Sequence, residues 1–411
     1  VMRKSLALLA RLATTSPVFT PMRTGRWGPS VGSARIRSRI SSAADIARWA
    51  SSPCARRSKR PKKPISPGSS TDVQTSPEGL LPCDWQLALA GEVDCLEALE
   101  AAPQLAGRIR EFQRATAALG LDGAFLTRLV SAFNDRLTIR IIALTARRHR
   151  FPASSWCWLA LGSEGRHEQT FVSDQDNGLI FNAIDPREAD ALRELFLPFA
   201  QEVNRRLADC GFKLCSGGIM AGNPAWCLSL AEWKDRFADW VRVPDPQALL
   251  NASIFFDLRP LCGDLALGEN LRCHLSALTV GATAFLHLMA ANALQAQPPL
   301  NFLGDVVGSG GQSANEIDLK KFGSRIFVDA ARIFALARGT HAASTAARLN
   351  DSAPAAGLQA GEIAAVDAAF SHILRLRLNN QLAVRAAAAE AGHGIPLDSL
   401  HDVDRAILKA S

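Results

Sequence analysis

The sequence predicts an α+β chain: a small mixed sheet, flanked by a helical lead-in and followed by an all-helical C-terminal part. Three observations carry this. Apolar residues recur at helical spacing between positions 80 and 150. Short apolar runs alternate with well-capped helix starts between 151 and 265. Beyond 270 the chain is rich in Ala and Leu and poor in strand signals. With 411 residues there is room for two or three domains and a sizeable core. Composition divides the chain into a basic tail at 1–75, a helical lead-in at 76–150, a central domain at 151–265 and a helical domain at 270–411.

Charge is unevenly spread. The net charge is +7, yet residues 1–75 hold 15 Lys and Arg against two Asp, while the remaining 336 residues hold 31 basic and 37 acidic side chains. The body is therefore mildly acidic, which gives no support to nucleic-acid binding there. The tail, rich in Arg, Ser and Pro, reads as disordered chain or as an extended start of the reading frame. An organellar targeting peptide shares this composition, whereas Arg11 interrupts the apolar run that a secretory signal needs. No window of 18 apolar residues is free of charge, so no membrane span is expected. Nine Cys without a Cys-x-x-Cys pair or an adjoining His cluster read as thiols in a reducing cytosol, hence a cytoplasmic expectation.

In the lead-in, Phe125, Leu126, Leu129, Val130, Phe133, Leu137, Ile141 and Ile142 follow a helical period, and Arg147–Arg150 close it as cations suit a helix C-terminus. Trp156–Leu161 is an unbroken apolar run, read as a buried strand. Asp174–Asn182 is the second strand. Asp185, Pro186 and Glu188 supply an N-cap, a proline at N1 and a glutamate at N3. That helix ends at Gly211. Phe212–Ser216 is the candidate third strand. Ser229 and Glu232 have capping-box spacing and open another helix. In the helical domain Gly308–Gly311 and Pro354–Gly361 are breaks. No Gly-Lys-Ser/Thr follows the first, which argues against a phosphate loop.

The chemistry concentrates in Leu159-Ala-Leu-Gly162-Ser163-Glu-Gly-Arg166-His-Glu-Gln169-Thr-Phe-Val-Ser173-Asp174-Gln-Asp176-Asn177. A strand runs into a Gly-Ser turn that opens a helix. A second strand then starts with two carboxylates two residues apart. Side chains at i and i+2 share a strand face, so Asp174 and Asp176 can converge on one cation. Asn177 points to the other face, which suits a structural role. Free backbone N–H groups at a helix start favour a phosphate, and glycine lets the backbone approach closely. Mg²⁺ or Mn²⁺ suits such a site, because hard cations take a few carboxylates together with phosphate oxygens.

These residues resemble the Gly-Ser…Asp-x-Asp signature of the polymerase β-type nucleotidyltransferase superfamily. More narrowly, Gly-Ser-Glu-Gly-Arg…Glu-Gln-Thr…Ser-Asp-Gln-Asp-Asn resembles the signal-transduction nucleotidyltransferases related to the N-terminal part of protein-PII uridylyltransferases. Further matching blocks are Cys210–Trp226 and Asn251–Asp264. Asp318-Leu-Lys-Lys321, Val328-Asp-Ala-Ala-Arg332 and Leu374-Arg-Leu-Arg-Leu378 resemble that family's C-terminal substrate-binding helical domain. The resemblance spans residues 80–411 and implies a polymerase β-like central domain. It also implies in-line attack of an acceptor hydroxyl on the α-phosphate of a nucleoside triphosphate, with release of pyrophosphate.

The resemblance assigns Asp174 and Asp176 to metal binding and catalysis. It assigns Gly162 and Ser163 to the β- and γ-phosphates, with Arg166, Gln169 and Ser173 in the nucleotide-binding set, Gln169 and Ser173 by orienting this loop or the acidic pair. Arg166 could instead pair with Glu164 or Glu168 on the helix surface. Many members of the superfamily place a third carboxylate on a later strand. No acid lies between Asp209 and Glu232, so Asp257 is the candidate, with an ion pair to Arg259 as the alternative. Lys320, Lys321, Arg325 and Arg332 form either a basic face toward nucleotide or acceptor, or a solvated helix face. Implied partners are a nucleoside triphosphate and a protein or small-molecule acceptor. Two readings stand: a metal-dependent nucleotidyltransferase in signalling, or a non-catalytic nucleotide-binding scaffold.

Overall fold

The computed structural model describes residues 82–151, 154–296, 299, 301, 306–308, 315–386 and 394–410. The readings made for the basic tail and for most of the Gly308–Gly311 run lie outside the described residues. Three helices open the structure: α1 (Pro82–Asp94), α2 (Ala102–Ala117) and α3 (Gly123–Ala146). The Asp122 side chain accepts the Phe125 N–H and caps α3, which stops before the Arg147–Arg150 cations. Leu126, Leu129, Phe133, Leu137 and Ile141 form its buried stripe.

The central domain runs β1 (Trp156–Ala160), α4 (Gly162–Gly165), β2 (Asn177–Phe181), α5 (Pro186–Asp209), β3 (Cys227–Ser229), α6 (Leu230–Arg242), α7 (Pro246–Phe255) and β4 (Arg259–Gly263). Its sheet has the order β3-β2-β1-β4. The β2–β3 pair is parallel and the other two pairs are antiparallel, so the sheet is mixed. β1 is buried on both faces, which is why no polar residue interrupts it. Trp156, Trp158 and Ala160 pack with α1, α2, α3 and α5, whereas Cys157 and Leu159 join the core formed with α6 and the elements after it.

Local signals carry through where the chain caps itself. Asp185 accepts the Glu188 N–H at the start of α5, Pro186 is the first helical residue, and Gly211 follows the end at φ +88. Both bonds of the Ser229–Glu232 capping box are present at α6.

Two strand expectations change. β2 begins at Asn177 rather than Asp174. Phe212–Ser216 is not a strand; it contributes a single parallel bridge, Lys213 to Asp174, with Gln175 N–H donating to the Lys213 carbonyl at 2.8 Å. The chain turns away at Gly217 and Gly218, the latter at φ +65, before a ladder forms. The third strand is Cys227–Ser229 instead.

The helical domain comprises α8 (Leu265–Thr279), α9 (Thr283–Ala293), α10 (Arg325–Arg338), α11 (Thr345–Ser352), α12 (Ala360–Ala386) and α13 (Asp402–Ala410). A two-stranded antiparallel ribbon joins β5 (Glu316–Asp318) to β6 (Gly394–Pro396), and a π-helical turn at Lys320–Ser324 feeds α10. The lead-in docks on this domain. A Cβ at Gly123 would lie 2.2 Å from the Ser371 carbonyl oxygen, so only glycine lets α3 approach α12 so closely. Among the described residues no single helix is long and apolar enough to cross a membrane.

Candidate active site

The signature motif forms a compact corner between β1 and β2. Helix α4 is a single turn and starts at Gly162, whose φ of +55 disfavours L side chains. A Cβ there would also lie 3.2 Å from Asp176 Oδ2. Leu161 N–H donates to the Asp176 carbonyl at 2.9 Å, which holds the Gly-Ser turn against the second aspartate.

Asp174 and Asp176 line one cavity of about 560 Å³, walled by both the central and the helical domain. Gln175, between them, turns into the core and donates to the carbonyls of Asn204 at 3.0 Å and Phe212 at 3.1 Å. The two carboxylates thus lie on one side although the strand proper starts later. Asn177 points away, accepting from Asn204 Nδ2 at 3.0 Å and Ala221 N–H at 2.8 Å. Burial pushes the Asp176 carboxyl up to about 6; the Asp174 charge adds to this, while the Cys215 thiol and the charges of Lys320 and Arg166 oppose it.

Ser163, Arg166 and Ser173 line the same cavity. Ser173 Oγ accepts the Thr170 N–H at 3.0 Å and donates to the Thr170 carbonyl at 3.1 Å, closing the loop before the acid pair. Gln169 stands elsewhere. It is buried, accepts from Asn134 Nδ2 at 3.1 Å and donates its N–H to Ser131 Oγ at 3.1 Å, so it ties the loop to α3. Arg166 Nε donates to Glu168 Oε2 at 2.7 Å and its Nη1 donates to Asp257. The other Glu168 oxygen accepts the Thr345 N–H at 2.6 Å, at the start of α11.

Asp257 requires a correction. It sits between α7 and β4, buried, and does not line the cavity. Arg332 donates to it through Nε at 3.0 Å and Nη2 at 2.6 Å, and Arg166 and Arg348 bind the same carboxylate. Burial would raise its pKa, but the charges of Arg332, Arg348 and Arg166 hold it well below the usual carboxylate range. Its oxygens are engaged by guanidinium groups, so it is not placed to complete a carboxylate set with Asp174 and Asp176. Arg259 is not its partner either, since Arg259 Nη2 binds Asp135 at 2.9 Å. Neither β3 nor β4 carries an acid. Among the described residues no three His, Cys, Asp or Glu side chains gather into a group that could hold a metal ion.

Of the basic positions after β5, Lys320, Lys321 and Arg325 are exposed, as on a solvated face, while Arg332 is buried; all four also line the cavity that holds the acid pair. Arg325 Nε donates to Asp329 Oδ2 at 3.2 Å, and Arg332 bonds both Asp329 and Asp257. Sequence reasoning missed Lys213, Ser324 and Arg377, which line the same space. The signal for Arg377 was the alternation of Arg with Leu at 374–378, in a helix otherwise committed to the core. It also missed Glu164, whose carboxyl is buried and pushed up to about 8, first by desolvation and then by the Asp135 charge.

The comparisons with known proteins fit this division. One family model, Putative nucleotidyltransferase DUF294, matches residues 107–247, a span that holds the Gly162–Asp176 corner. A second, Putative nucleotidyltransferase substrate binding domain, matches residues 283–411, which hold the basic wall. No curated protein matches the chain. With both models in order and most of the folded chain covered, this protein belongs to the DUF294 nucleotidyltransferase family and carries its C-terminal substrate binding domain.

Proposed function

We propose that this protein is a metal-dependent nucleotidyltransferase of the protein-PII uridylyltransferase kind. It would move a nucleoside monophosphate from a nucleoside triphosphate to a protein or small-molecule acceptor in signalling. The observation that carries the reading is that Asp174 and Asp176 line one cavity together with Ser163, Arg166, Lys320 and Lys321.

The two carboxylates suit a small dication. They are like charges held together by the fold, one of them raised to about 6, and such a cation relieves that repulsion. Held by Asp174 and Asp176, it would take its other ligands from phosphate oxygens and water, the usual habit of Mg²⁺. Bound there, Mg²⁺ or Mn²⁺ would neutralise phosphate charge and acidify the acceptor hydroxyl. The chain's own groups do the rest. Gly162 keeps the backbone close to Asp176, and the Ser163 hydroxyl is available to a phosphate oxygen. Arg166, anchored by Glu168 and Asp257, holds its guanidinium in a fixed position at the cavity.

One observation favours the scaffold reading: Asp257, the candidate third acid, is engaged by three arginines and is not placed to join Asp174 and Asp176. Titrating Mn²⁺ with a non-hydrolysable triphosphate separates the two. Nucleotide-dependent Mn²⁺ uptake that disappears in Asp174→Asn/Asp176→Asn supports the transferase. Nucleotide binding indifferent to Mn²⁺ and to that double substitution supports the scaffold.

A further inference from the structure

We propose that Ser131 and Asn134 of α3 and Gln381 of α12 are positioning residues for the acid pair, acting through the loop that leads into it. The proposal rests on the reading of Asp174 and Asp176 as a cation site; the hold on the loop rests on hydrogen-bond geometry alone.

The loop from Arg166 to Ser173 joins α4 to the acid pair and contains neither helix nor strand. Its shape is imposed from outside. His167 within it adopts φ +58, a conformation that costs a non-glycine residue free energy and persists where the surroundings dictate it. Helices α3 and α12 supply those surroundings. Ser131 Oγ accepts the Gln169 N–H at 3.1 Å, and Asn134 Nδ2 donates to Gln169 Oε1 at 3.1 Å. Gln381 Nε2 donates to Thr170 Oγ1 at 3.1 Å. Phe171 packs against Leu126 of α3 and Leu378 of α12, so the same two helices grip the next residue as well.

Thr170 is the junction through which α12 reaches the acids. Its hydroxyl accepts from Gln381 and donates to the Val172 carbonyl at 3.2 Å. Its backbone N–H and carbonyl are both engaged by Ser173 Oγ. Asp174 is the residue after Ser173. A run of hydrogen bonds therefore leads from α12 to the first aspartate. Ser131, Gln169, Thr170 and Gln381 are buried, and an unmade hydrogen bond is costly in such a setting.

Placement relative to the cavity defines the role. Ser131, Asn134 and Gln381 do not line it, so their influence on a ligand there runs through the loop. Gln381 nevertheless stands on the helix face that does. Phe370, Leu374 and Arg377 line the cavity, and with Gln381 they follow one another at intervals of three or four residues along α12. One helix thus forms part of the cavity wall and fixes the loop that leads into the acid pair. Docking of the helical domain becomes a condition for the geometry of Asp174 and Asp176.

The test titrates the full chain with Mn²⁺ in the presence of a non-hydrolysable triphosphate, well below the melting temperature, with free Mn²⁺ followed by electron paramagnetic resonance. Gln381→Leu and Thr170→Val should each weaken Mn²⁺ uptake about 10-fold, the scale usual for groups that orient metal ligands. Thr170 itself lines the cavity, so the combination with Gln381, which does not, carries the test. The double variant should lose no more than either single one, because both break the same run of bonds. Thr170→Ser keeps the hydroxyl and should match the wild type. Ser131→Ala/Asn134→Leu loosens the loop from the α3 side, should also weaken uptake, and keeps the test decisive should Gln381→Leu fail to fold. A purely structural role would lower the melting temperature and leave the Mn²⁺ affinity of the folded protein unchanged. That result, or losses that simply add in Gln381→Leu/Thr170→Val, would overturn the proposal. The two readings fail separately. Uptake equal to the wild type in every variant removes the positioning role and leaves the cation site. No uptake by the wild type removes the cation site, and the positioning role with it.

Discussion

Asp257→Asn is the most informative single substitution, because one carboxylate holds three guanidinium groups from three parts of the chain. Arg166 comes from the signature loop, Arg332 from α10 and Arg348 from α11. Asparagine keeps the shape and removes the charge. Arg332 retains Asp329 and Arg166 retains Glu168, but Arg348 keeps only the Ala342 carbonyl, 2.9 Å from its Nε. Removing one partner of a buried ion pair costs about 3–5 kcal/mol, and the stranded Arg348 argues for the upper part of that range. Equilibrium unfolding in urea at pH 7 measures it. The pH dependence is a second, independent check. A carboxyl held well below its unfolded value stabilises the fold above pH about 4, and that contribution is lost as pH falls below it. The gap between wild type and variant should therefore be full at pH 7 and narrow in acid. A gap under about 1 kcal/mol at pH 7, or one that does not narrow, would refute the reasoning.

Other expectations follow from single residues. Glu164 has its carboxyl raised to about 8, so its protonated form stabilises the fold at low pH and the benefit is lost as pH rises toward 8. Glu164→Gln should gain on the wild type by up to about 1.4 kcal/mol per pH unit between pH 5 and 8 in chelator, and a flat difference would count against it. Gly162→Ala forces an L residue to φ +55 and crowds Asp176, costing about 1–3 kcal/mol in stability. It should also lower Mn²⁺ affinity about 10-fold, as read by calorimetry with nucleotide present. Ser229→Ala removes one half of a capping box remote from the cavity and should cost about 1 kcal/mol in a thermal melt with no change in ligand binding.

What the sequence revealed and what it hid follow from the range of the interactions involved. Asp185 with Glu188 and Ser229 with Glu232 are three residues apart, so their caps are local facts. β1 is legible because both of its faces are buried and every position must be apolar. β3 is three residues long and shows no period; it exists because it can pair with the edge of β2. The β5–β6 ribbon joins segments far apart in the chain, which composition cannot register. At the site, Gly162, Asp174 and Asp176 are close in sequence and their meeting could be foreseen. Asp257 could not be placed that way. Arg259, two residues on, looked like its natural partner, yet β4 directs that side chain to Asp135. The partners that do reach Asp257 lie 75 and 91 residues away along the chain. Lys213 and Arg377 were hidden for the same reason, because only the packing of α12 and the Asp174 bridge brings them to the cavity.

The central claim is phosphoryl chemistry at Asp174 and Asp176. The direct measurement incubates the chain with Mg²⁺ or Mn²⁺, each α-labelled nucleoside triphosphate and a nucleotide-depleted host lysate, following pyrophosphate and label together. The account predicts pyrophosphate release matched by label on an acceptor, for one preferred donor, and abolished by Asp174→Asn/Asp176→Asn in a protein that still folds. Pyrophosphate release that survives the double substitution, or none with any donor despite demonstrated triphosphate binding, would contradict it.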